Sequence, residues 1–406
     1  MANLIRLPAL WLITLIVGLP LLSETVYTPS LPEIAQSLSI SDSMAEYTLT
    51  VYLFGFAVGT LVWGKISDIW GRKPALICGL SIYILACLGC YFSTSIEWLM
   101  LSRFIQAFGG STGSVLGQAI CRDVFKGASL GKMYSSVGSA MAVFPAIGPV
   151  IGGLIAQNFD WSVIFIFLMV CGTFVVGCVF TQLSETHTKE SRQPVIIMNV
   201  LKKMTTDKKV IAFGLLVAGC NGISFSYYAE GSFYLIEMLH LTPSLYGCTF
   251  IALSAAAMAG GLISRRLHNS YDSLTILYIG VVIVLCGGLL FSGGILLTCV
   301  TTLPEYILIS MTIGCMVLIM GGNCIITSNA LSSALMNYKD CIGTASSFFG
   351  FAYYCVVSLM TAGMGLLHND TLFPMPLYFL SIALLMFIVF VKMIRPKKSH
   401  AIINSA

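Results

Sequence analysis

The sequence carries little charge for its length. Of its 406 residues, 9% are Asp, Glu, Lys or Arg and 57% are hydrophobic, whereas soluble domains have about 25% charged and roughly 45–50% apolar residues. The mean hydropathy is +0.91. This composition excludes an ordinary soluble enzyme. It predicts an all-α integral membrane protein. The apolar residues form long stretches, and the whole chain has 38 Gly but only 13 Pro, which is more typical of packed helices than of a membrane barrel.

Residues for metal or redox chemistry are also scarce. The 14 cysteines are scattered, mostly inside apolar stretches, and we interpret them as small buried residues rather than as a zinc cluster or a disulfide framework. The histidines are predicted to lie in loops or tails: His187, His240, His268, His368 and His400. A proton carrier inside the membrane would therefore be a carboxylate. We expect no cofactor, no metal and no nucleic-acid partner.

Hydrophobic stretches separated by polar breaks occur twelve times. They lie near residues 7–30, 45–65, 74–93, 98–120, 131–155, 161–182, 210–236, 246–265, 273–297, 305–328, 341–366 and 373–392. Each is long enough for a membrane helix, which needs about 20 apolar residues. The first stretch resembles a signal peptide, but no small-residue cleavage site follows it, so we interpret it as a retained first span.

The positions of the basic residues predict the orientation in the membrane. With the N-terminus inside, 20 of the 21 Lys and Arg fall in cytoplasmic segments, and the opposite loops contain acids such as Glu33, Asp42, Glu97, Asp160, Glu305 and Asp370. Lys and Arg collect in cytoplasmic loops because their translocation is unfavourable. We therefore predict a multi-pass protein of the inner (cytoplasmic) membrane, with both termini in the cytoplasm.

The longest hydrophilic stretch, from Ser184 to Lys209, follows span six and divides the chain. The predicted organisation is an N-terminal six-helix bundle of residues 1–183, a cytoplasmic linker of residues 184–209, and a C-terminal six-helix bundle of residues 210–406 that ends in a short cytoplasmic tail. The two bundles would be pseudo-symmetric, and transporter sites usually lie between such repeats.

Three ionisable residues are predicted to lie well inside the membrane. Arg103 in span four is the exceptional basic residue, and a lone cation there costs at least about 2.5–3.5 kcal/mol. Glu24 in span one and Glu230 in span seven lie at a similar depth, about 10 Å below the outer surface. We expect the three to meet around one cavity and to carry proton coupling. The alternative is that the two acids are structural partners of Arg103.

A specific motif lies at the cytoplasmic end of span two. The residues are Gly64-Lys65-Ile66-Ser67-Asp68-Ile69-Trp70-Gly71-Arg72-Lys73-Pro74. The segment resembles the G-x-x-x-D-x-x-G-R-(K/R) loop of the major facilitator superfamily, in which this loop closes the cytoplasmic side. The resemblance implies gating roles for Gly64, Asp68, Gly71 and Arg72. Glycine permits a tight turn, and Asp68 can cap a helix or pair with Arg72.

Other segments resemble the same family. Residues 101–110, which include Arg103, resemble its span-four motif, and residues 183–186 resemble its span-six ending. Residues 145–153 resemble the span-five signature of drug:proton antiporters, which implies a kinked, close-packed gating helix with Gly148, Pro149, Gly152 and Gly153. Together with residues 27–32, these segments are similar to the bicyclomycin-resistance subfamily. That subfamily usually has its span-one acid at the position of Thr25, one residue after Glu24.

The resemblance implies a secondary transporter of the major facilitator fold. It would act as a monomer in the lipid bilayer and exchange protons for drugs or other small lipophilic or cationic compounds by alternating access. Candidate substrate-binding residues are polar or aromatic positions inside spans: Tyr27, Tyr52, Gln106, Tyr227, Tyr228, Asn323 and Tyr353. Two alternatives stay open. One is proton-coupled uptake or export of a specific metabolite or siderophore; the other, disfavoured by the absence of histidine from the spans, is a membrane-embedded receptor or enzyme.

Overall fold

The computed structural model describes residues 8–141, 143–187, 197–336, 338 and 342–394. Within these ranges the regular structure is helical and no strand occurs, which confirms the predicted all-α fold. The helices are α1 (Leu10–Thr25), α2 (Leu31–Ser37), α3 (Asp42–Trp70), α4 (Arg72–Tyr91), α5 (Ile96–Val124), α6 (Gly127–Met141), α7 (Phe144–Asn158), α8 (Val163–Gln182), α9 (Ile197–Thr206), α10 (Lys208–Ser232), α11 (Pro243–Leu267), α12 (Ser273–Leu296), α13 (Glu305–Ala334), α14 (Ile342–Leu367) and α15 (Pro374–Val389).

Ten helical segments of the described chain are long and apolar enough to cross a membrane. Helix α5 has the length, 29 residues, but Arg103 and several small polar residues lower its hydropathy. The fifth predicted span corresponds to α6 and α7, which follow one another on either side of residues 142–143. With these two additions, the order of crossing segments matches the twelve hydrophobic stretches of the sequence.

The two ends of the helix bundle differ in charge. We call one end the acidic end because its loops and helix starts carry Asp42, Glu97, Asp160, Glu305 and Asp370. The opposite end, which we call the basic end, carries Lys65, Arg72, Arg122, Lys208 and Arg265. Successive crossing helices run in opposite directions and are joined by short connections. The connections are alternately acidic and basic along the sequence, and they lie at the acidic and basic ends in turn.

The buried apolar side chains form two large groups. One group comes from residues 12–183 together with Phe233, and the other comes from residues 204–390. We call residues 8–187 the first half and residues 197–394 the second half. The predicted linker of residues 184–209 is described only in part, since residues 188–196 lie outside the described ranges. Both chain termini, residues 1–7 and 395–406, lie outside them as well.

The halves contact each other along two helix pairs, α3 with α14 and α7 with α11. The α7–α11 contact is very close at the acidic end, where a Cβ atom on Gly153 would collide with the carbonyl oxygen of Pro243. Nearby, Gln36 donates a hydrogen bond across the halves to Glu237, with Nε2 and Oε1 3.4 Å apart. The halves are therefore packed together at the acidic end.

Candidate functional site

Arg103 lies fully buried inside the first half, on α5. The guanidinium carbon is 4.3 Å from the ring centroid of Tyr27 and 4.2 Å from that of Tyr52, so two aromatic faces cover the cation. Its Nη1 donates to Oε1 of Gln106 at 2.7 Å, and Gln106 in turn donates to Sγ of Cys87 at 3.1 Å. Nε and Nη2 of Arg103 have no hydrogen-bond partner among the described residues.

Glu24 is a buried acid that interacts electrostatically with this cation. It is 1% exposed near the C-terminal end of α1, and Arg103 is its electrostatic neighbour. Its Oε1 has no hydrogen-bond partner within the described part of the chain. The charge of Glu24 also reaches Tyr228 and Tyr353 of the second half. The buried carboxyl group of Glu24 thus interacts electrostatically with Arg103 and with aromatic side chains of the opposite half.

Glu230 does not join Arg103 and Glu24, which corrects the expectation of a single three-residue cluster. Its carboxylate contacts the imidazole of His368, with Nδ1 3.0 Å from Oε2 and 3.2 Å from Oε1. Positions along the helices place the three residues at a similar depth in the membrane. Depth does not specify the direction in which a side chain points around its helix, and Glu230 points to a different cluster.

His368 is the centre of this second group, which we call the His368 cluster. Its Nε2 lies 3.4 Å from Oδ2 of Asp42 and 3.2 Å from Oδ1 of Asp370, and its Nδ1 lies 3.6 Å from Oε1 of Glu46. The imidazole side chain is only 6% exposed. Burial alone would lower the pKa of His368, but these carboxylates outweigh burial and raise the pKa to about 11, with Asp42 and Glu230 as hydrogen-bond partners.

Two members of the His368 cluster are not predicted from the sequence as buried site residues. His368 is one residue beyond α14, where the sequence predicts a loop, but the end of the helix places its ring inside the bundle. Glu46 is the second residue of the second hydrophobic stretch and is not among the buried acids that the sequence predicts, although its side chain is 0% exposed. The available signal was an acid at the very start of a long apolar stretch.

At the basic end, the predicted gating loop forms a network within the first half. Arg72 pairs with Oδ1 of Asp68 through Nη1 at 2.6 Å and with Oδ2 of Asp123 through Nε at 2.9 Å. Its backbone N–H and that of Lys73 donate to the carboxylate of Glu185 at 2.8 and 3.1 Å. Asp123 lies near the end of α5, the helix that carries the span-four motif, and Glu185 belongs to the span-six motif. The structure therefore joins the gating loop to the ends of both of these spans.

The glycines of the gating motifs mark close backbone approaches. Gly71 joins α3 to α4 with φ of 105°, a conformation that side chains rarely adopt. A Cβ on Gly64 would lie 3.2 Å from Oγ of Ser347 on α14 of the opposite half. In α7, a Cβ on Gly148 would collide with Thr25, and one on Gly152 with the carbonyl oxygen of Val26.

Pro149 lies in the same helix and faces the other half. Its carbonyl oxygen fills the position that a Cβ on Gly247 of α11 would need. Helix α7 therefore packs tightly on the end of α1 through Gly148 and Gly152, and on α11 through Pro149 and Gly153. Their predicted role in gating stays a prediction.

The candidate substrate-binding residues fall into two groups. Tyr27, Tyr52, Gln106 and Tyr227 are fully buried, and the first three enclose Arg103. The remaining three belong to the second half: Tyr228, Asn323 and Tyr353.

Tyr353 reaches the boundary between the halves through its neighbour Tyr354. Tyr353 stacks on Tyr354 at 4.5 Å between ring centroids, and Tyr354 packs against Phe56 of the first half at 4.7 Å. Asn323 donates to the carbonyl oxygen of Cys220 at 3.1 Å, and its Oδ1 has no partner in the described ranges.

A cavity of about 530 Å³ opens between the halves at the acidic end. Its lining comes from both halves: Pro29, Pro32, Glu33, Gln36 and Ala156 from the first, and Ile236, Glu237, His240 and Pro243 from the second. The walls contain two carboxylates and one histidine but little aromatic surface. The cavity resembles a vestibule at the seam between the halves more than an aromatic drug pocket.

Comparison with known proteins identifies the family of this bundle. The sequence profile of the Major Facilitator Superfamily matches residues 13–362. The chain belongs to the major facilitator superfamily. An uncharacterised transporter of Rickettsia felis is 32% identical over 374 residues, which cover 90% of this chain and 91% of the relative. A bicyclomycin resistance protein homologue of Haemophilus influenzae is 29% identical over 360 residues, 88% of each chain.

A solved structure agrees with the superfamily fold. The crystal structure of a D-xylose–proton symporter superposes with a TM-score of 0.74 at 12% identity and covers 95% of this chain and 97% of that chain. The protein is therefore a multi-pass membrane transporter of the superfamily and not an enzyme. At 12% identity the likeness establishes the fold, and the substrate has to be argued from the site.

Proposed function

We propose that this transporter is a proton-coupled exporter of drugs or other small lipophilic or cationic compounds, with Glu24 as its proton-carrying group. The observation that carries the proposal is the buried carboxyl group of Glu24, which has an oxygen without a hydrogen-bond partner in the described chain. Among the relatives, the Haemophilus influenzae protein is named for bicyclomycin resistance, and this name supports a drug-like substrate.

The proton step follows from the charge of the Glu24–Arg103 pair. With Glu24 ionised the pair is neutral, and with Glu24 protonated the pair carries one positive charge. A cationic substrate near Tyr228 and Tyr353 is therefore favoured when Glu24 has lost its proton. Proton and cation compete for the same carboxylate, which is the requirement for exchange.

Aromatic side chains supply the substrate surface in this proposal. Tyr353 and Tyr354 stack in the second half, and Tyr228 packs against Phe250 with centroids 5.4 Å apart. Ring faces attract cations and large apolar groups without selecting one shape. Arg103 would hold Glu24 in place rather than contact the substrate, because Tyr27 and Tyr52 already cover its guanidinium.

The direction of transport follows from the predicted orientation of the acidic end toward the outside. The contacts between the halves at that end would then represent a state closed to the outside, and opening there would admit protons to Glu24. An inward-moving proton gains about 2.3 kcal/mol per 100 mV, which corresponds to roughly a fiftyfold accumulation of a neutral substrate, since each factor of ten costs about 1.4 kcal/mol. We assign Glu230 to the closed acidic end, and a direct part for Glu230 in proton transfer stays a prediction.

The test uses purified protein in liposomes that contain a pH-sensitive dye. Ethidium and tetraphenylphosphonium serve as probe cations for the wild type, Glu24→Gln and the control Glu97→Gln, which replaces an exposed acid. We expect probe-dependent proton movement, opposite in direction to the probe, in the wild type and the control. In Glu24→Gln we expect it to fall at least tenfold, while probe binding measured by fluorescence changes only a few-fold.

Two results would contradict the proposal. Full coupling in Glu24→Gln would remove Glu24 from the proton path. Proton movement in the same direction as the solute would instead support the uptake alternative that shares this fold.

A further inference from the structure

We propose that Glu46, Glu230 and His368 form a binding site for one divalent transition-metal cation of the zinc type, held between the two halves at the acidic end. The ligand atoms would be one carboxylate oxygen of each glutamate and Nδ1 of the imidazole. This inference does not rest on the proposed export function, because metal binding is measured without transport.

The positions of the three ligand atoms suit a small metal ion. Nδ1 of His368 lies 3.0 Å from Oε2 of Glu230 and 3.6 Å from Oε1 of Glu46, and the ligand atoms of all three residues lie within 4.8 Å of one another. Zinc binds nitrogen and oxygen ligands at about 2.0–2.2 Å in a tetrahedron, whose ligand-to-ligand edges are then roughly 3.3 Å. The two measured separations bracket this edge, and the fourth position would be open to water.

Glu46 is a buried acid whose ion-pair contact to Nδ1 of His368 is long, at 3.6 Å. Its side chain is 0% exposed, and neither Oε1 nor Oε2 has a hydrogen-bond partner among the described residues. Glu46 shares the single imidazole of His368 with Glu230 and the two aspartates, and buried charges are ordinarily paired or coordinate a metal. The Glu46 carboxylate also feels the negative charge of Glu230, so a cation between the two would relieve their repulsion.

The opposite nitrogen of His368 has the outer contacts expected for a metal ligand. Nε2 faces Oδ1 of Asp370 at 3.2 Å and Oδ2 of Asp42 at 3.4 Å. Metal-binding histidines usually donate their other N–H to a carboxylate, which selects the tautomer and orients the ring. With the Nε2 proton held by these aspartates, the lone pair of Nδ1 points toward Glu46 and Glu230. Binding would release the proton that Nδ1 otherwise carries.

The ligands come from both halves of the transporter. Glu46 belongs to α3 of the first half, whereas Glu230 belongs to α10 and His368 follows α14 of the second half. A bound metal would therefore join the halves where they already pack together. In a protein whose halves move relative to one another, it would hold the acidic end closed.

The experiment measures metal binding to the purified full chain after removal of any affinity tag. Isothermal titration with Zn²⁺ alone gives stoichiometry and affinity, and Co²⁺ absorption reports tetrahedral coordination. The variants are Glu46→Gln and His368→Gln, which remove ligands, and Asp42→Asn, which removes an outer contact. The matched controls are His240→Gln and Glu237→Gln, since both residues lie at the same end but outside the cluster.

We expect one Zn²⁺ per chain in the wild type and in both controls. Loss of a ligand should abolish this binding, and Asp42→Asn should weaken it about tenfold. Zn²⁺ should also raise the melting temperature of the wild type but not of Glu46→Gln, and unchanged melting in metal-free buffer will show that the variant is folded. Absence of Zn²⁺ binding by the wild type, or equal binding by wild type, Glu46→Gln and His368→Gln, would overturn the proposal.

Discussion

The two buried ionic clusters of this transporter are built in different ways. The Arg103 site contains one cation and one nearby acid, and its members all come from the first half. The His368 cluster contains one imidazole and four carboxylates, and both halves contribute to it. The first site is balanced in charge and can persist while the halves move. The second has excess negative charge and exists only while the halves are together at the acidic end.

Among the variants that test this comparison, removal of the Arg103 charge should reduce the stability of the protein most. In Arg103→Met, Glu24 loses its neighbouring cation inside the membrane, and two aromatic rings lose the group they cover. We expect the free energy of unfolding to fall by about 3–5 kcal/mol, as for other broken buried ion pairs. Thermal unfolding in detergent measures the loss.

The double variant Glu24→Gln/Arg103→Met is the control for that prediction. It removes both charges, so it should recover part of the stability lost in Arg103→Met. If the two effects are simply additive, Glu24 and Arg103 do not interact, and the Arg103 site is not the balanced unit described above.

A smaller loss of stability is expected when the aromatic rings over Arg103 are kept and one nearby hydrogen bond is removed. In the wild type, the hydroxyl oxygens of Tyr27 and Thr48 lie 2.7 Å apart inside the first half. Tyr27→Phe keeps the ring face over Arg103 but removes this hydrogen bond, which costs about 1 kcal/mol. The same unfolding assay applies, with the exposed Tyr271 changed to Phe as the control. A loss as large as that of Arg103→Met would mean that the hydroxyl, not the ring, holds the cation.

The smallest effect should come from removal of one acid of the His368 cluster. In metal-free buffer we expect Glu46→Gln to melt at the wild-type temperature, because the repulsion relieved between Glu46 and Glu230 offsets the lost attraction to His368. The matched removal of an acid at the balanced site, Glu24→Gln, should be the more destabilising of the two. If Glu46→Gln instead lowers the melting temperature more than Glu24→Gln does, the metal-free His368 cluster is already balanced in charge. The two sites would then not differ in the way described above.

Much of the architecture could be predicted because it depends on residues close together along the chain. Hydrophobic length predicted the crossing helices, and the motif around Gly71 predicted a tight turn. It also offered two roles for Asp68, a helix cap or a partner of Arg72 four residues away, and the structure shows the pair. The need of Arg103 for a partner was also predictable, since a lone cation in the membrane is costly. Its aromatic cover depends on Tyr52, which reaches Arg103 from another helix.

The sequence by itself determined that this protein spans the membrane as helices, and which residues carry unusual charge there, because hydropathy and local turns are properties of neighbouring residues. Only the tertiary structure decided that Glu230 meets His368, 138 positions away, instead of Arg103. Which charges share a site depends on how each helix is rotated and on which half it faces. Packing between distant segments sets both, and for that reason one predicted cluster became two.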